Sequence, residues 1–245
     1  MADNVQLQRN IDVYTTPEDI AAHEQLFGMQ RPKFETIHSL VAAIPNKTVV
    51  ADVGCLTGIG SVSYREYDDV DTVHVFDASE ELLRLAAEKD LVTHHWVCGE
   101  TAAPVDDGSF DLLIASDIIE HILDTEFFIS ELIRIVRPGG HIVVTTPNLG
   151  WWINRFRLLA GRVPVCHPGV SSRFKKEERI DLNHIRINMT EEWRAFFEHH
   201  GLEVAALRGY RLNTGMRWFL RPIDRAITNP RLTFGMCFLM NVPSG

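Results

Sequence analysis

Between residues 48 and 145, short apolar runs alternate with stretches of helical periodicity, and this alternation restricts the fold more than any other feature of the chain. Strands are predicted at 48–53, 72–76, 93–97, 110–115 and 141–145. Between them lie an amphipathic helix at 79–89, with Leu82, Leu83, Leu85 and Ala86 on one face, and a second at 124–136, carrying Phe127, Phe128, Leu132, Ile133 and Val136. Arg137-Pro138-Gly139-Gly140 is expected to end that helix. Strands that are apolar along their whole length, separated by helices, require a parallel sheet covered on both faces.

The flanks differ from this core. The first 47 residues read as helical, with a start at Thr16-Pro17-Glu18-Asp19, where Thr is a good cap and the acids sit at the positive end of the dipole. A second helix follows Arg31-Pro32, with Phe34, Ile37, Leu40 and Val41 on one face, and is expected to stop at Pro45-Asn46. Residues 149–189 hold Trp151, Trp152, Pro164, Pro168 and a basic cluster from Arg173 to Arg179, which suits an irregular cap. A helix capped by Thr190 and closed by Gly201, a strand at 202–207 and a final apolar run at 232–242 complete the chain. One domain over 1–245 is expected, built from segments 1–47, 48–148, 149–189 and 190–245.

With 45% apolar and 23% charged residues in 245, the chain is an ordinary globular one, and collagen, coiled coil and wholesale disorder are excluded. No run reaches the roughly 18 apolar residues of a membrane helix. The N-terminus lacks the basic-then-apolar order of a signal peptide, so a cytoplasmic location is expected. Cys55, Cys98, Cys166 and Cys237 are widely spaced, which excludes a four-cysteine zinc knuckle and argues against a disulfide scaffold. Charge is divided unevenly: residues 1–150 carry nine basic and 25 acidic residues, residues 151–245 fifteen basic and eight acidic. Only five of the 24 cations are Lys, and Arg is the better grip for a planar anion.

The densest chemical signal is Val49-Val50-Ala51-Asp52-Val53-Gly54-Cys55-Leu56-Thr57-Gly58-Ile59-Gly60, an apolar strand running into a glycine-bearing turn. Such a turn at the carboxyl end of the first strand is where open α/β sheets bind nucleotides. The spacing is neither G-x-G-x-x-G nor a phosphate-binding Gly-Lys-Ser/Thr loop, which argues against a dinucleotide or ATP. Asp77 ends the next strand, where a ribose diol wants a carboxylate. Gly99-Glu100-Thr101 follows strand three and Ser116 follows strand four, at the same sheet edge.

These residues carry a resemblance. Asp52-x-Gly54-Cys55-x-Thr57-Gly58, Phe76-Asp77-Ala78-Ser79, Phe110-Asp111 through Glu120-His121-Ile122, Leu132-x-Arg134-x-x-Arg137-Pro138-Gly139-Gly140 and Thr146-Pro147-Asn148 occur in order over residues 48–148. The set resembles the class I S-adenosylmethionine-dependent methyltransferases, nearest the small-molecule group called type 11. The resemblance implies a Rossmann-like, doubly wound, mostly parallel seven-stranded sheet with an antiparallel last strand at 234–242. It further implies S-adenosylmethionine (SAM) as cofactor. Gly54 and Gly58 would form the loop around its methionine part, Asp77 would bind its ribose hydroxyls, Glu100 and Thr101 would flank its adenine, Ser116 would lie beside the methionine end, and Asp52, Cys55 and Ala78 are further cofactor-binding candidates. Leu56 departs from the pattern, standing where the family usually has glycine.

The resemblance also implies a small-molecule acceptor under the cap. Methyl transfer from a sulfonium is an in-line displacement in which the protein positions the acceptor and excludes water. A hydroxyl acceptor benefits from a general base, for which His184 and then His121 are the candidates. Trp151, Trp152, His184 and Arg186 are the expected acceptor-side residues, Arg186 holding an acidic group, and no metal is expected. The favoured reaction is O-methylation of an anionic acceptor. The alternatives are a SAM-binding protein without turnover and an N-methyltransferase acting on a macromolecule. Nucleic acid is disfavoured, since no basic module with stacking aromatics is present.

Overall fold

The computed structural model describes residues 27–28, 30–167, 184–212 and 218–244. The expected helix start at Thr16, and Pro168, Arg173, Lys175, Lys176 and Arg179 of the cap, lie outside the described residues. Seven strands form one sheet in the order β3-β2-β1-β4-β5-β7-β6. They are β1 Val49–Val53, β2 Thr72–Asp77, β3 Val92–His95, β4 Phe110–Ser116, β5 Val136–Pro147, β6 Glu203–Tyr210 and β7 Gly235–Asn241. β1 to β5 pair in parallel, and β7 runs antiparallel between β5 and β6. This is the expected doubly wound arrangement with its antiparallel last strand.

Alternation along the central strands divides the core in two. Ala51, Val53, Leu113, Ala115, Ile142, Val144, Met236 and Phe238 face one layer, where Phe128, Ile129 and Leu132 of α3 (Thr125–Ile135) and Trp193 and Phe197 of α5 (Thr190–His199) pack. Val50, Leu112, Ile114, Val143, Cys237 and Leu239 face the other, against Ile37, Leu40 and Val41 of α1 (Arg31–Val41) and Leu83 and Ala86 of α2 (Glu80–Ala87). Period-two burial on both faces is what a covered sheet requires.

Four expectations are corrected. The segment Arg137-Pro138-Gly139-Gly140 does not separate helix from strand; it is a bulge inside β5, with Phe110 opposite Val136 and Leu112 opposite His141. Pairing keeps it in the sheet, with Gly139 at φ +74°, since Gly139 N–H donates to the Val242 carbonyl and Val242 N–H to the Gly140 carbonyl. Part of the supposedly irregular cap is α4 (Trp152–Leu159), because buried Asn154 anchors it, donating from Nδ2 to the Asn148 carbonyl and accepting Val165 N–H. Thr190 is the first helical residue rather than the cap. Glu192 accepts Met189 N–H at 2.8 Å, while the Thr190 hydroxyl turns inward onto Met236 Sδ. Finally, α1 ends at Val41, short of Pro45.

Candidate active site

The strand order reverses at β1, which has β2 on one side and β4 on the other, so a crevice opens beyond the carboxyl ends of β1 and β4. The loop after β1 is held open by backbone geometry. Gly54 has φ +77°, and a Cβ there would lie 2.8 Å from Ile118 Cδ1; Gly58 has φ +71°, and its Cβ would meet Leu91 at 2.6 Å. Leu56, the departure noted in the sequence, also occupies the left-handed region at φ +52°, a conformation costly for any residue with a Cβ. Its N–H donates to Asp77 Oδ2 at 3.0 Å, and Ser79 N–H donates to Oδ1 at 3.0 Å. Burial pushes the Asp77 carboxyl up to about 6 against these hydrogen bonds. Asp52 lies deeper, accepting from the Ser61 hydroxyl at 2.6 Å, and burial likewise raises it to about 6.

The remaining cofactor candidates surround the same edge. Cys55 is buried, and its N–H, like that of Gly54, donates to the Phe76 carbonyl at the end of β2. The Ala78 carbonyl accepts from His95 Nε2. Glu100 and Thr101 are exposed on the turn after β3, where Trp96 Nε1 donates to the Thr101 carbonyl. Ser116 Oγ lies 3.1 Å from Thr145 Oγ1.

Beyond Ser116 the character of the site changes from backbone to side chains. Asp117, at φ +52°, accepts from Lys33 Nζ at 2.9 Å, Thr145 Oγ1 at 2.7 Å and Tyr210 OH at 2.8 Å. Burial acts to raise its carboxyl, but Lys33 and the hydroxyl donors outweigh it and hold the group below the usual carboxylate range. A short 3-10 turn, Ile119–His121, follows. It carries Glu120, 1% exposed, with neither carboxylate oxygen hydrogen-bonded among the described residues. Burial, and then the Asp117 charge, push the Glu120 carboxyl well above its ordinary value.

The segment after the cap closes over this turn. Ile185 N–H donates to the Glu120 carbonyl at 3.0 Å, which brings His184 Nε2 to 3.8 Å from Glu120 Oε1 and the His184 ring to 4.8 Å from that of His121. Both candidate imidazoles are therefore brought together. His184 is 6% exposed and donates from Nδ1 to the Cys166 carbonyl at 3.1 Å. Arg186 donates to Thr125 Oγ1 and the Leu123 carbonyl at 2.8 and 2.9 Å, and has no carboxylate within ion-pair distance among the described residues. Trp151 and Trp152 do not join this cluster through their indole N–H groups. Both donate to Asp224 Oδ1, at 3.5 and 2.9 Å, fastening α4 to α6 (Arg221–Ala226).

Sequence reasoning missed Glu120, Asp117, Lys33 and Tyr210. Two signals were present: an acid and an imidazole adjacent in an otherwise apolar stretch, and Lys33 on the helix face that carries Ile37 and Leu40. Asp117 is also a residue type that tolerates positive φ, which its place at the strand end demands.

Comparison with known proteins agrees with this geometry. Residues 51–144 match the Methyltransf_11 family, a methyltransferase domain. The ubiquinone biosynthesis O-methyltransferase of Cupriavidus pinatubonensis is 33% identical over 113 residues, 44% of this chain and 44% of that protein. Phosphoethanolamine N-methyltransferase 2 of Caenorhabditis elegans is 31% identical over 113 residues, 44% of this chain and 25% of that one. The match thus spans less than half the length of either relative. Among solved structures, Haemonchus contortus phosphoethanolamine N-methyltransferase 2 in complex with SAM superposes with TM-score 0.65 at 17% identity, covering 96% of this chain and 60% of that one. Among the described residues no helix is long and apolar enough to cross a membrane. Strand order, the ordered motifs and the match over residues 51–144 support a class I SAM-dependent methyltransferase.

Proposed function

We propose that the protein transfers the SAM methyl group to an oxygen of a small or medium-sized anionic acceptor held at Glu120, His121 and His184. The observation that carries this reading is the buried acid–imidazole cluster directly after β4, adjoining the crevice where the sheet order reverses. In the cofactor half, Asp77 accepts the ribose hydroxyls, the Gly54–Gly58 backbone lies against the methionine part, and Glu100 and Thr101 flank the adenine. On the acceptor side, the cluster removes the hydroxyl proton as oxygen attacks the sulfonium methyl and the C–S electron pair stays on sulfur. Arg186, oriented by two hydrogen bonds, offers its charge to a carboxylate or phosphate. The related phosphoethanolamine N-methyltransferase is named for a phosphate-bearing molecule and the ubiquinone relative for O-methylation, and both accord with this chemistry.

The test is turnover of labelled SAM against hydroxy acids, phosphates and amines. His184→Ala lowers kcat, and Arg186→Ala raises KM for the anionic acceptor. Methyl transfer to amines alone, or wild-type kinetics in both variants, rejects the reading.

A further inference from the structure

We propose that Glu120, His121 and His184 bind one divalent transition-metal ion of the zinc class, with open coordination positions toward the acceptor; the placement of the acceptor rests on the function proposed above, the binding of the ion does not. Each residue offers one ligand atom, and the three atoms lie within 4.8 Å of one another. Two imidazole nitrogens and one carboxylate oxygen are a donor set used by zinc and ferrous sites that keep positions free for substrate. Ligand atoms about 2.1 Å from a tetrahedral ion stand about 3.4 Å apart. Glu120 Oε1 and His184 Nε2, at 3.8 Å, need little movement to reach that spacing.

Three further observations separate this cluster from an ordinary buried pair. The Glu120 carboxylate is almost wholly enclosed, with the Thr146 hydroxyl facing it but no hydrogen bond of ordinary geometry to either oxygen among the described residues, a condition that folded proteins rarely leave uncompensated. The 3.8 Å separation is too long for a hydrogen bond between acid and imidazole and suits two ligands of one ion. Because a carbonyl only accepts, the contact with Cys166 fixes the hydrogen of His184 on Nδ1, and Nε2 is the nitrogen that faces Glu120. An imidazole that donates to a backbone carbonyl through one nitrogen while presenting the other is the usual arrangement of a metal-binding histidine. The bond from Ile185 N–H to the Glu120 carbonyl fixes the two segments relative to each other before any ion arrives. His74 and His94 make the contrast: their ring nitrogens sit 2.9 Å apart and bond to each other, so that pair is already satisfied.

An ion here changes how the acceptor is activated. The acceptor hydroxyl would coordinate the ion and lose its proton to solvent at a lowered pKa; its oxygen would then attack the methyl carbon and displace the thioether sulfur, which keeps the C–S electron pair. His121 and His184 then act as ligands and neither imidazole takes the proton.

The experiment is calorimetric titration of the chelator-treated full-length chain with zinc chloride, with SAM affinity measured on every variant as a check of folding. One equivalent is expected to bind. Glu120→Gln should weaken binding at least tenfold and His184→Ala about a hundredfold, while His74→Ala binds zinc as the wild type does. Should His184→Ala fail to fold, Glu120→Gln and the visible absorption of the cobalt-loaded protein decide, a tetrahedral band supporting the site and its absence rejecting it. No zinc binding, or equal binding by wild type, Glu120→Gln and His184→Ala, overturns the proposal. Zinc binding at these residues without methylation of any hydroxyl keeps the site and removes the O-methylation reading. An unchanged turnover rate in metal-free protein removes the ion from the reaction.

Discussion

The two sides of the crevice are built by different means. On the proposed cofactor side, the structure rests on a single loop and one acid: Gly54, Leu56 and Gly58 all take positive φ, and Asp77 receives two backbone N–H groups. On the acceptor side, buried side chains converge from α1, the end of β4, β6 and the segment after the cap, namely Lys33, Asp117, Glu120, Tyr210 and His184. The first side is local in sequence and nearly saturated with hydrogen bonds. The second is non-local and charged, and encloses the Glu120 carboxylate in the protein interior. A site whose ligand is constant can be encoded in one loop, whereas a site whose ligand differs between relatives is open to assembly from separate parts of the chain.

Removing charge from the acceptor side should have the largest effect. Asp117→Ala leaves Lys33 buried without its partner, and a broken buried pair costs about 3–5 kcal/mol, which denaturant unfolding would register as a lower midpoint with unchanged slope. Tyr210→Phe removes one neutral donor from the same carboxylate and should cost about 1 kcal/mol. A loss as small for Asp117→Ala as for Tyr210→Phe would show that the two sides are not differently built.

On the cofactor side the effect falls on binding. Asp77→Ala should weaken SAM affinity by about 2–3 kcal/mol, the loss of a charged acceptor for two hydroxyls, with calorimetry as the measurement. Unchanged affinity would remove Asp77 from the ribose site. NAD should give no thermal stabilisation comparable with that from SAM, because the loop lacks the dinucleotide spacing.

Protonation sharpens the contrast further. With its carboxyl pushed up to about 6 in the free protein, Asp77 is ionised at pH 7.5 and mostly protonated at pH 5. Since the ionised form is the better acceptor of ribose hydroxyls, SAM affinity should fall about tenfold from pH 7.5 to pH 5 and be flat above pH 7. The opposite sign applies to folding: raised carboxyls at Asp52 and Asp77 contribute stability that is fully present below about pH 4 and lost as pH rises through about 6.

The smallest effect concerns Leu56. Changing it to Gly relieves left-handed strain of about 1 kcal/mol but frees the unfolded chain by a similar amount, so stability should move by less than about 0.5 kcal/mol. Leu56→Val, β-branched at the same φ, should instead destabilise by about 1–2 kcal/mol. Thermal unfolding of the two variants would show whether loop conformation, rather than the leucine side chain, matters here.

What could be read from the sequence follows the same division. Strands β1, β2 and β4 were legible to within one residue at either end, because buried parallel strands are continuous apolar runs and glycine turns mark where they stop. Asp77 was legible as the acid that ends β2, and it stands there, accepting from Leu56 N–H and Ser79 N–H. Helix α4 was not, since its anchor is a tertiary bond from Asn154 to Asn148, and Trp and Arg residues alone do not announce a helix. The bulge at Arg137-Pro138-Gly139-Gly140 reads locally as a stop; only pairing with Val242, about a hundred residues later, keeps it in the sheet. The nearness of Glu120 to His184 depends on one backbone hydrogen bond across 65 residues, which no local pattern reveals.

The strand order carries a consequence for synthesis. β7, the last described strand in the chain, is inserted between β5 and β6 and is not added at an edge. While the chain is being made, β5 therefore presents an unpaired edge, and β6 has no strand neighbour until residues 235–241 leave the ribosome. Vectorial folding can complete the nucleotide-binding half early, but the sheet closes only once β7 has been made. An early stop codon that removes β7 would thus leave two apolar edges bare in the nascent protein, a state that chaperones and proteases recognise.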